Sequence, residues 1–161
     1  MRRPILTMAF VITAFAISPF PVRASTLGTL ETTYNFHASG LLADPQRPYV
    51  FATNGSQLEV INTNTLAISG SVQLPGQGSG MAMSSDGSKL YIGALSGVFV
   101  VDAQTDTLQS TLSLGYPVTQ LAAGLQNRLY VLGPSKLAEV DATTGASAGP
   151  DLLSYTYLAR T

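Results

Sequence analysis

A repeat of about 40 residues runs through most of the chain and restricts the fold more than any other feature of the sequence. Three Tyr-Val or Tyr-Ile pairs mark the repeat, and they begin at Tyr49, Tyr91 and Tyr130. A short apolar run follows each pair and ends on a polar residue, in turn Asn62, Asp102 and Asp141. Such a period is typical of proteins built from stacked copies of one structural unit.

Each period contains four short apolar segments that are separated by turn residues. In the second period these segments are Met81–Met83, Leu90–Ala94, Val98–Asp102 and Leu108–Leu114. Short segments rich in Val, Ile, Tyr and Thr between turn residues are typical of antiparallel strands, and four of them make one β-propeller blade. The sequence therefore predicts an all-β fold, a β-propeller arc of about three four-stranded antiparallel blades. The predicted blades cover residues of about 40–75, 80–115 and 120–153.

The segments on either side of the three blades are interpreted as parts of further blades. Residues 29–36 lie one period before the fourth strand of the first blade, so we expect a spare outer strand there. Residues 154–160 lie where the inner strand of a fourth blade would begin. Propellers typically have about 4–8 blades, so three blades make an incomplete ring.

Three explanations of the incomplete ring are open. The first choice is that the chain is a fragment of a longer propeller. The second is a homo-oligomer in which copies of the chain complete the ring. The third is a stable open arc, which is the least favoured because it exposes strand edges and an apolar blade face.

The first 24 residues have the pattern of a secretory signal peptide. Arg2 and Arg3 precede the apolar stretch from Ile5 to Ile17, which is too short to span a bilayer. A small residue, Ala24, ends the segment and fits a signal-peptidase cleavage site. We therefore expect a secreted or periplasmic protein with residues 25–161 as the partial propeller and no membrane span after cleavage.

The repeat motifs resemble those of the YVTN-type repeat β-propellers of bacteria and archaea. The resemblance rests on RPYVFATN at 47–54, KLYIGALSG at 89–97 and RLYVLGPS at 128–135. It covers residues of about 30–153 and implies a secreted or surface propeller. Related propellers include lactonase-like and quinoprotein dehydrogenase-like enzymes, so the resemblance implies a fold more closely than an activity.

The composition excludes several kinds of chemistry. Charged residues make up 11% of the chain and the net charge is −1, so no basic surface is available for nucleic acid. The chain has no cysteine and one histidine, which excludes thiolate metal sites and intrachain sites with two imidazoles. No phosphate-binding glycine motif or serine nucleophile elbow is present. We expect no cofactor, no metal and no catalytic residue.

Loops supply the candidate binding residues, since propeller ligands are expected on a loop face. The candidates lie in loops around 36–40, 54–57, 75–80 and 115–119, and they are His37, Asn54, Gln77 and Tyr116. The aspartates Asp86, Asp102 and Asp141 are interpreted as turn formers, because Asn62 takes the same place in the first repeat. One basic residue lies two positions before each repeat tyrosine, and these residues are interpreted as solvated residues at strand starts: Arg47, Lys89 and Arg128.

Two functions are consistent with the sequence. The first is a secreted non-catalytic scaffold that binds an unidentified protein or glycan through its loops. The alternative is part of a propeller enzyme, lactonase-like or quinoprotein dehydrogenase-like. The single histidine and the few charges favour the scaffold, since catalysis needs convergent titratable groups.

Overall fold

The computed structural model describes residues 32–154, and these residues form twelve strands in three separate four-stranded antiparallel sheets. The first sheet contains β1 (Gly40–Ala43), β2 (Tyr49–Asn54), β3 (Gln57–Asn62) and β4 (Ala67–Gln73). The second contains β5 (Met81–Met83), β6 (Lys89–Ala94), β7 (Gly97–Asp102) and β8 (Thr107–Ser113). The third contains β9 (Gln120–Ala123), β10 (Arg128–Leu132), β11 (Lys136–Asp141) and β12 (Leu153–Ser154).

Within each sheet the strands pair in chain order, so each sheet is an up-and-down meander. We call the three sheets blades 1, 2 and 3. The first strands β1, β5 and β9 contact one another in succession, and β4 contacts β8 at the rim. The prediction of an all-β propeller arc with three four-stranded blades is confirmed.

The hydrophobic core consists of two layers, one between each pair of neighbouring blades. Leu90 and Ile92 of β6 pack against blade 1, whereas Tyr91 between them packs against blade 3. This alternation follows from the period of two along a strand, and it explains why β6 is apolar on both faces. The rim strand β8 carries mostly exposed residues, since only Leu112 is buried there.

A hydroxyl residue lies at the entry to each blade, and two of these three residues join neighbouring blades. The N–H groups of Ser39, Ser79 and Thr119 each donate to the second strand of their own blade, at 2.8–2.9 Å. The hydroxyl of Ser39 donates to the Gly78 carbonyl at 3.0 Å, and that of Ser79 donates to the Val118 carbonyl at 2.7 Å. Each bond therefore links one blade entry to the next. We call these two bonds the hydroxyl clasps.

Glycines make room for the hydroxyl clasps. A Cβ atom on Gly93 would lie 2.6 Å from the Val118 carbonyl oxygen, and one on Gly78 would lie 2.9 Å from a methyl carbon of Thr53. Both distances are shorter than a Cβ contact allows. At each blade junction a glycine therefore faces a β-branched residue.

The third strands end in the same turn, as the sequence predicted. The side-chain oxygen of Asn62 accepts the N–H groups of residues 64 and 65, at 2.9 and 3.2 Å. Asp102 accepts the N–H groups of residues 104 and 105 and Asp141 those of 143 and 144, all at 2.9 Å. An amide and a carboxylate serve equally well here, because each supplies one acceptor oxygen.

Two segments differ from the predictions. Residues 32–36 form no strand, although they belong to the expected outer strand 29–36. An outer strand of a closing blade has no partner strand within residues 32–154, so nothing there can pair with it. Ser154 belongs to β12 and pairs with Lys136 of blade 3, so it does not open a fourth blade. Residues 1–31 and 155–161, with the predicted signal peptide, lie outside the described residues.

The register also corrects the alignment of the first repeat. Tyr49 pairs with Asn62, whereas Lys89 pairs with Asp102 and Arg128 pairs with Asp141. Tyr49 is therefore equivalent to Lys89 and Arg128, and Arg47 lies in the preceding turn. The basic residue does not recur at one structural position in all three blades.

Candidate functional site

The strands end on two opposite loop faces. The first loop face carries the turns between the first and second strands and between the third and fourth strands of each blade. The second loop face carries the hairpins between the second and third strands and the connections between blades, and all four predicted binding residues lie there. His37 and Gln77 are exposed in the connections before blades 1 and 2. Asn54 is half-buried at the end of β2, and Tyr116 is half-buried in the connection before blade 3.

Backbone and hydroxyl hydrogen bonds join the loops that carry these residues into one continuous row. Gly78 donates its N–H to the Gly55 carbonyl at 2.9 Å, which places the Gln77 loop beside the Asn54 hairpin. The Ser39 clasp to the Gly78 carbonyl adds the segment that follows His37. Further along, Gly80 donates to the Thr119 carbonyl at 3.2 Å and so connects to the Tyr116 loop. The structure thus brings the four loops together.

Tyr116 is held more firmly than a free surface aromatic. The Lys136 ammonium lies 4.2 Å from the centre of its ring, and the same ammonium lies 3.7 Å from Asp151. On another side the ring approaches Gly133, where a Cβ atom would lie 3.0 Å from it. Tyr116, Lys136 and Asp151 border a cleft of about 170 Å³, which residues of β8 and β11 also line. Burial raises the pKa of Tyr116 above its ordinary value.

His37 has no partner that would make it a general base. Its side chain forms no hydrogen bond or ion pair with another of the described residues. A general base needs an orienting partner, and none of the described residues supplies one to His37. Within residues 32–154 there is no group of three or more His, Asp or Glu side chains that could hold a metal ion.

The first loop face contains a cleft that the sequence reading missed. It has a volume of 250 Å³, lies between blades 2 and 3, and is bordered by residues that include Ser84, Asp86, Lys89, Tyr91 and Asn127. The corresponding space between blades 1 and 2 is occupied, since the Gln46 side chain lies against Gly87 there. Blade 2 carries Asp86 and Tyr91 where blade 1 carries Gln46 and Phe51. This difference between the two repeats is the sequence signal for the cleft.

The carboxylates of the first loop face are held by turn hydrogen bonds. The hydroxyls of Ser84 and Ser88 and the Ser88 N–H donate to one oxygen of Asp86, at 2.6–3.0 Å, and lower its pKa to about 2. Hydrogen bonds from the turn N–H groups also hold the pKa of Asp102 and Asp141 below the ordinary value. These three groups remain ionised at neutral pH, so they suit turn formation and not proton transfer.

Asp44 and Arg47 close the first turn of blade 1. The Asp44 side chain is fully buried, and Arg47 Nε donates to Asp44 Oδ2 at 2.6 Å. Burial raises the pKa of Asp44, but hydrogen bonds from the N–H of Gln46 and from Arg47 outweigh it, and the net pKa is lowered. Arg128 similarly lies 3.4 Å from Glu139, so two of the three repeat cations are paired within their own blades.

Comparison with solved structures gives many propellers at low sequence identity. Hydrazine synthase of Kuenenia stuttgartiensis matches with a TM-score of 0.63 and 18% identity over 81% of this chain and 40% of that one. The β-propeller domain of Myceliophteria thermophila Cps50 (Swd1) matches with a TM-score of 0.63 and 12% identity over 80% of this chain and 42% of that one. AztD of Citrobacter koseri matches with a TM-score of 0.60 and 16% identity over 76% of this chain and 37% of that one.

These matches establish the class of protein, which is the β-propeller. The chain spans about two fifths of the length of the structures it matches. No protein-family profile and no curated protein matches the sequence, so the YVTN-type assignment stays a prediction. Among residues 32–154 there is no helix long and apolar enough to cross a membrane.

Proposed function

We propose that the chain is an exported, non-catalytic propeller scaffold that binds a protein or glycan through its second loop face. The observation that supports this proposal is the continuous row of hydrogen-bonded loops that carries His37, Asn54, Gln77 and Tyr116. A row of loops on a rigid sheet framework is a common arrangement for recognition, because the strands fix the loops at low entropic cost.

The chemistry of the face suits neutral polar ligands. His37, Asn54 and Gln77 offer hydrogen-bond donors and acceptors, and Tyr116 offers an aromatic edge beside the Lys136 ammonium. Sugar hydroxyls and peptide amides are the groups that such side chains recognise. The pattern of residues 1–24 supports export, which would place the face in contact with extracytoplasmic ligands.

The experiment compares binding of residues 25–161 to a glycan array and to an array of extracellular-matrix peptides. The test variant carries His37→Ala, Asn54→Ala and Gln77→Ala together. The matched control carries three alanines on the first loop face, at the exposed positions Asn64, Ser85 and Gln104. We expect the test variant to lose signal at least tenfold and the control to keep it.

Two results would count against this function. The first is equal binding by the test and control variants, which would place recognition elsewhere. The second is hydrolysis of a lactone panel by metal-loaded protein that His37→Ala abolishes, which would favour the propeller-enzyme alternative. Export is checked separately by N-terminal sequencing of the secreted protein, for which we expect Ser25 as the first residue.

A further inference from the structure

The cleft between blades 2 and 3 carries polar groups at positions where the junction between blades 1 and 2 carries aromatic rings. Tyr49 and Phe51 of β2 pack in the apolar layer between blades 1 and 2. The register places Lys89 and Tyr91 of β6 at the same two positions. Tyr91 packs against blade 3, and Lys89 shares its face because side chains two residues apart on a strand do so. An ammonium and a phenol hydroxyl therefore border this junction.

The facing wall of the cleft, in the first turn of blade 3, is built from smaller residues. Met83 pairs with Leu90 in blade 2 as Ala123 pairs with Leu129 in blade 3, so Met83 and Ala123 are equivalent. Met83 packs against the layer between blades 1 and 2, whereas the shorter Ala123 leaves the corresponding space open. The resulting 250 Å³ is the volume of about eight water molecules at roughly 30 Å³ each. The cleft therefore has room for a molecule the size of a small free amino acid.

Two opposite charges border this cleft without pairing to each other. The Lys89 ammonium forms no ion pair with another of the described residues. One oxygen of Asp86 accepts three turn hydrogen bonds, while Oδ2 accepts none from another residue of that part of the chain. Arg128 also borders the cleft, but its guanidinium pairs with Glu139 on the other face of blade 3, because the adjacent Leu129 packs towards blade 2.

Tyr91 supplies a third polar group at the cleft. Its side chain is almost completely buried, since the residue is 3% exposed, and its hydroxyl forms no hydrogen bond with another residue in the described range 32–154. A buried hydroxyl without a partner is uncommon, because it loses its hydrogen bonds with water. Burial raises the pKa of Tyr91, and the carboxylates of Asp86 and Asp141 raise it further. The hydroxyl thus keeps its proton at neutral pH and can donate to a ligand in the cleft.

We propose that this cleft binds a small zwitterion that carries an ammonium and a carboxylate group, such as a free amino acid. Lys89 Nζ and the Tyr91 hydroxyl donate to the carboxylate, and Asp86 Oδ2 accepts from the ammonium. Hydrogen bonds between ionised groups are roughly twice as strong as neutral ones, so a zwitterion compensates both charges of the cleft. A neutral sugar would displace their water and supply no counter-charge. The cleft lies on the first loop face, so the proposal does not rest on the proposed function.

The test is isothermal titration calorimetry of residues 25–161 with glycine, L-alanine, L-serine and L-threonine. We expect at least one of them to bind with a Kd below about 1 mM. The matched ligands lack one or both charged groups, since propionate has no ammonium, ethanolamine has no carboxylate and D-glucose has neither. Each should bind at least about tenfold more weakly, because it leaves a charge of the cleft unpaired.

Three variants each remove one group of the cleft. Lys89→Met keeps the apolar stem, and Asp86→Asn keeps the turn acceptor, so each should raise the Kd about tenfold or more through loss of a charge. Tyr91→Phe removes the hydroxyl alone and should raise the Kd about fivefold, and Phe51 shows that a blade accepts this side chain. The matched control, Asp102→Asn, changes a turn carboxylate of the same blade outside the cleft and should leave the Kd unchanged.

Two further variants test where the ligand binds. Ala123→Met should abolish binding by filling the cleft, while the fold accepts it because Met83 takes the same position in blade 2. The variant with alanines at His37, Asn54 and Gln77 should bind amino acids as the unsubstituted chain does. The proposed function and this proposal can therefore fail separately.

Three results would overturn the proposal. The first is no heat of binding from any of the four amino acids up to roughly 10 mM. The second is a Kd that Lys89→Met, Asp86→Asn and Tyr91→Phe all leave unchanged while circular dichroism shows them folded. The third is tighter binding of D-glucose than of the amino acids, which would assign the cleft to neutral polyols.

Discussion

Ser79 offers a direct test of how the blades are joined. Its hydroxyl donates to the Val118 carbonyl at 2.7 Å, and Val118 is 2% exposed. Among the described residues this carbonyl accepts no other hydrogen bond. Ser79→Ala therefore leaves a buried acceptor unpaired, which costs about 2 kcal/mol. Thr119→Val should cost less than about 0.5 kcal/mol in the single chain, because the exposed Thr119 hydroxyl spans no blade junction.

Urea unfolding of residues 25–161, followed by far-UV circular dichroism, measures both changes. We expect a lower midpoint for Ser79→Ala with an unchanged m-value. Gly93→Ala should also destabilise, since the new Cβ would lie 2.5 Å from the Ser79 hydroxyl and 2.6 Å from the Val118 carbonyl. The double variant should lose less than the sum of the two, because both disrupt one clasp. Equal effects of Ser79→Ala and Thr119→Val would refute the clasp.

Three further predictions use the same unfolding assay. Gly97→Ala should cost about 3 kcal/mol or more because its Cβ would overlap the Leu112 carbonyl, whereas Gly55→Ala has open space and should cost about 1 kcal/mol of backbone strain. Asp44→Asn should lose about 2–3 kcal/mol at neutral pH. Since the folded-state pKa of Asp44 is lowered, this loss should shrink as the pH falls below the ordinary value of 3.8. Asp102→Asn should be nearly neutral and Asp102→Ala should lower the urea midpoint, because the amide keeps the turn acceptor that Asn62 supplies in blade 1.

The blades could be predicted from the sequence because their middle strands are apolar on both faces. Residues such as Leu90 and Tyr91 pack against different neighbours, so the second strand appears as a continuous apolar run. The register of the first repeat could not be read from its tyrosine. A tyrosine fits several positions of a buried strand, whereas the turn residue Asn62 fits one, and its spacing of 40 to Asp102 gave the correct alignment.

The fourth strand of blade 3 is short for a local reason. β4 and β8 each have seven residues, but β12 has two. Gly145, Gly149 and Pro150 interrupt the chain between Asp141 and β12, and these residue types break a strand ladder. An isolated bridge joins Val140 and Ser147, and the N–H groups of Ala148 and Leu152 donate to the Glu139 and Leu137 carbonyls of β11. The period predicted a strand of full length here, but the local residue types prevent it.

The hydroxyl clasps separate the framework of the fold from the exposed side chains of the second loop face. Ser39, Ser79 and Thr119 recur at a spacing of 40, but serine and threonine are frequent in loops, so the spacing alone did not mark them as structural. Because the clasps fix the blade entries, the exposed side chains of the second loop face contribute little to the stability of the fold. Substitution of His37 or Gln77 should then affect ligand binding and leave the urea midpoint unchanged.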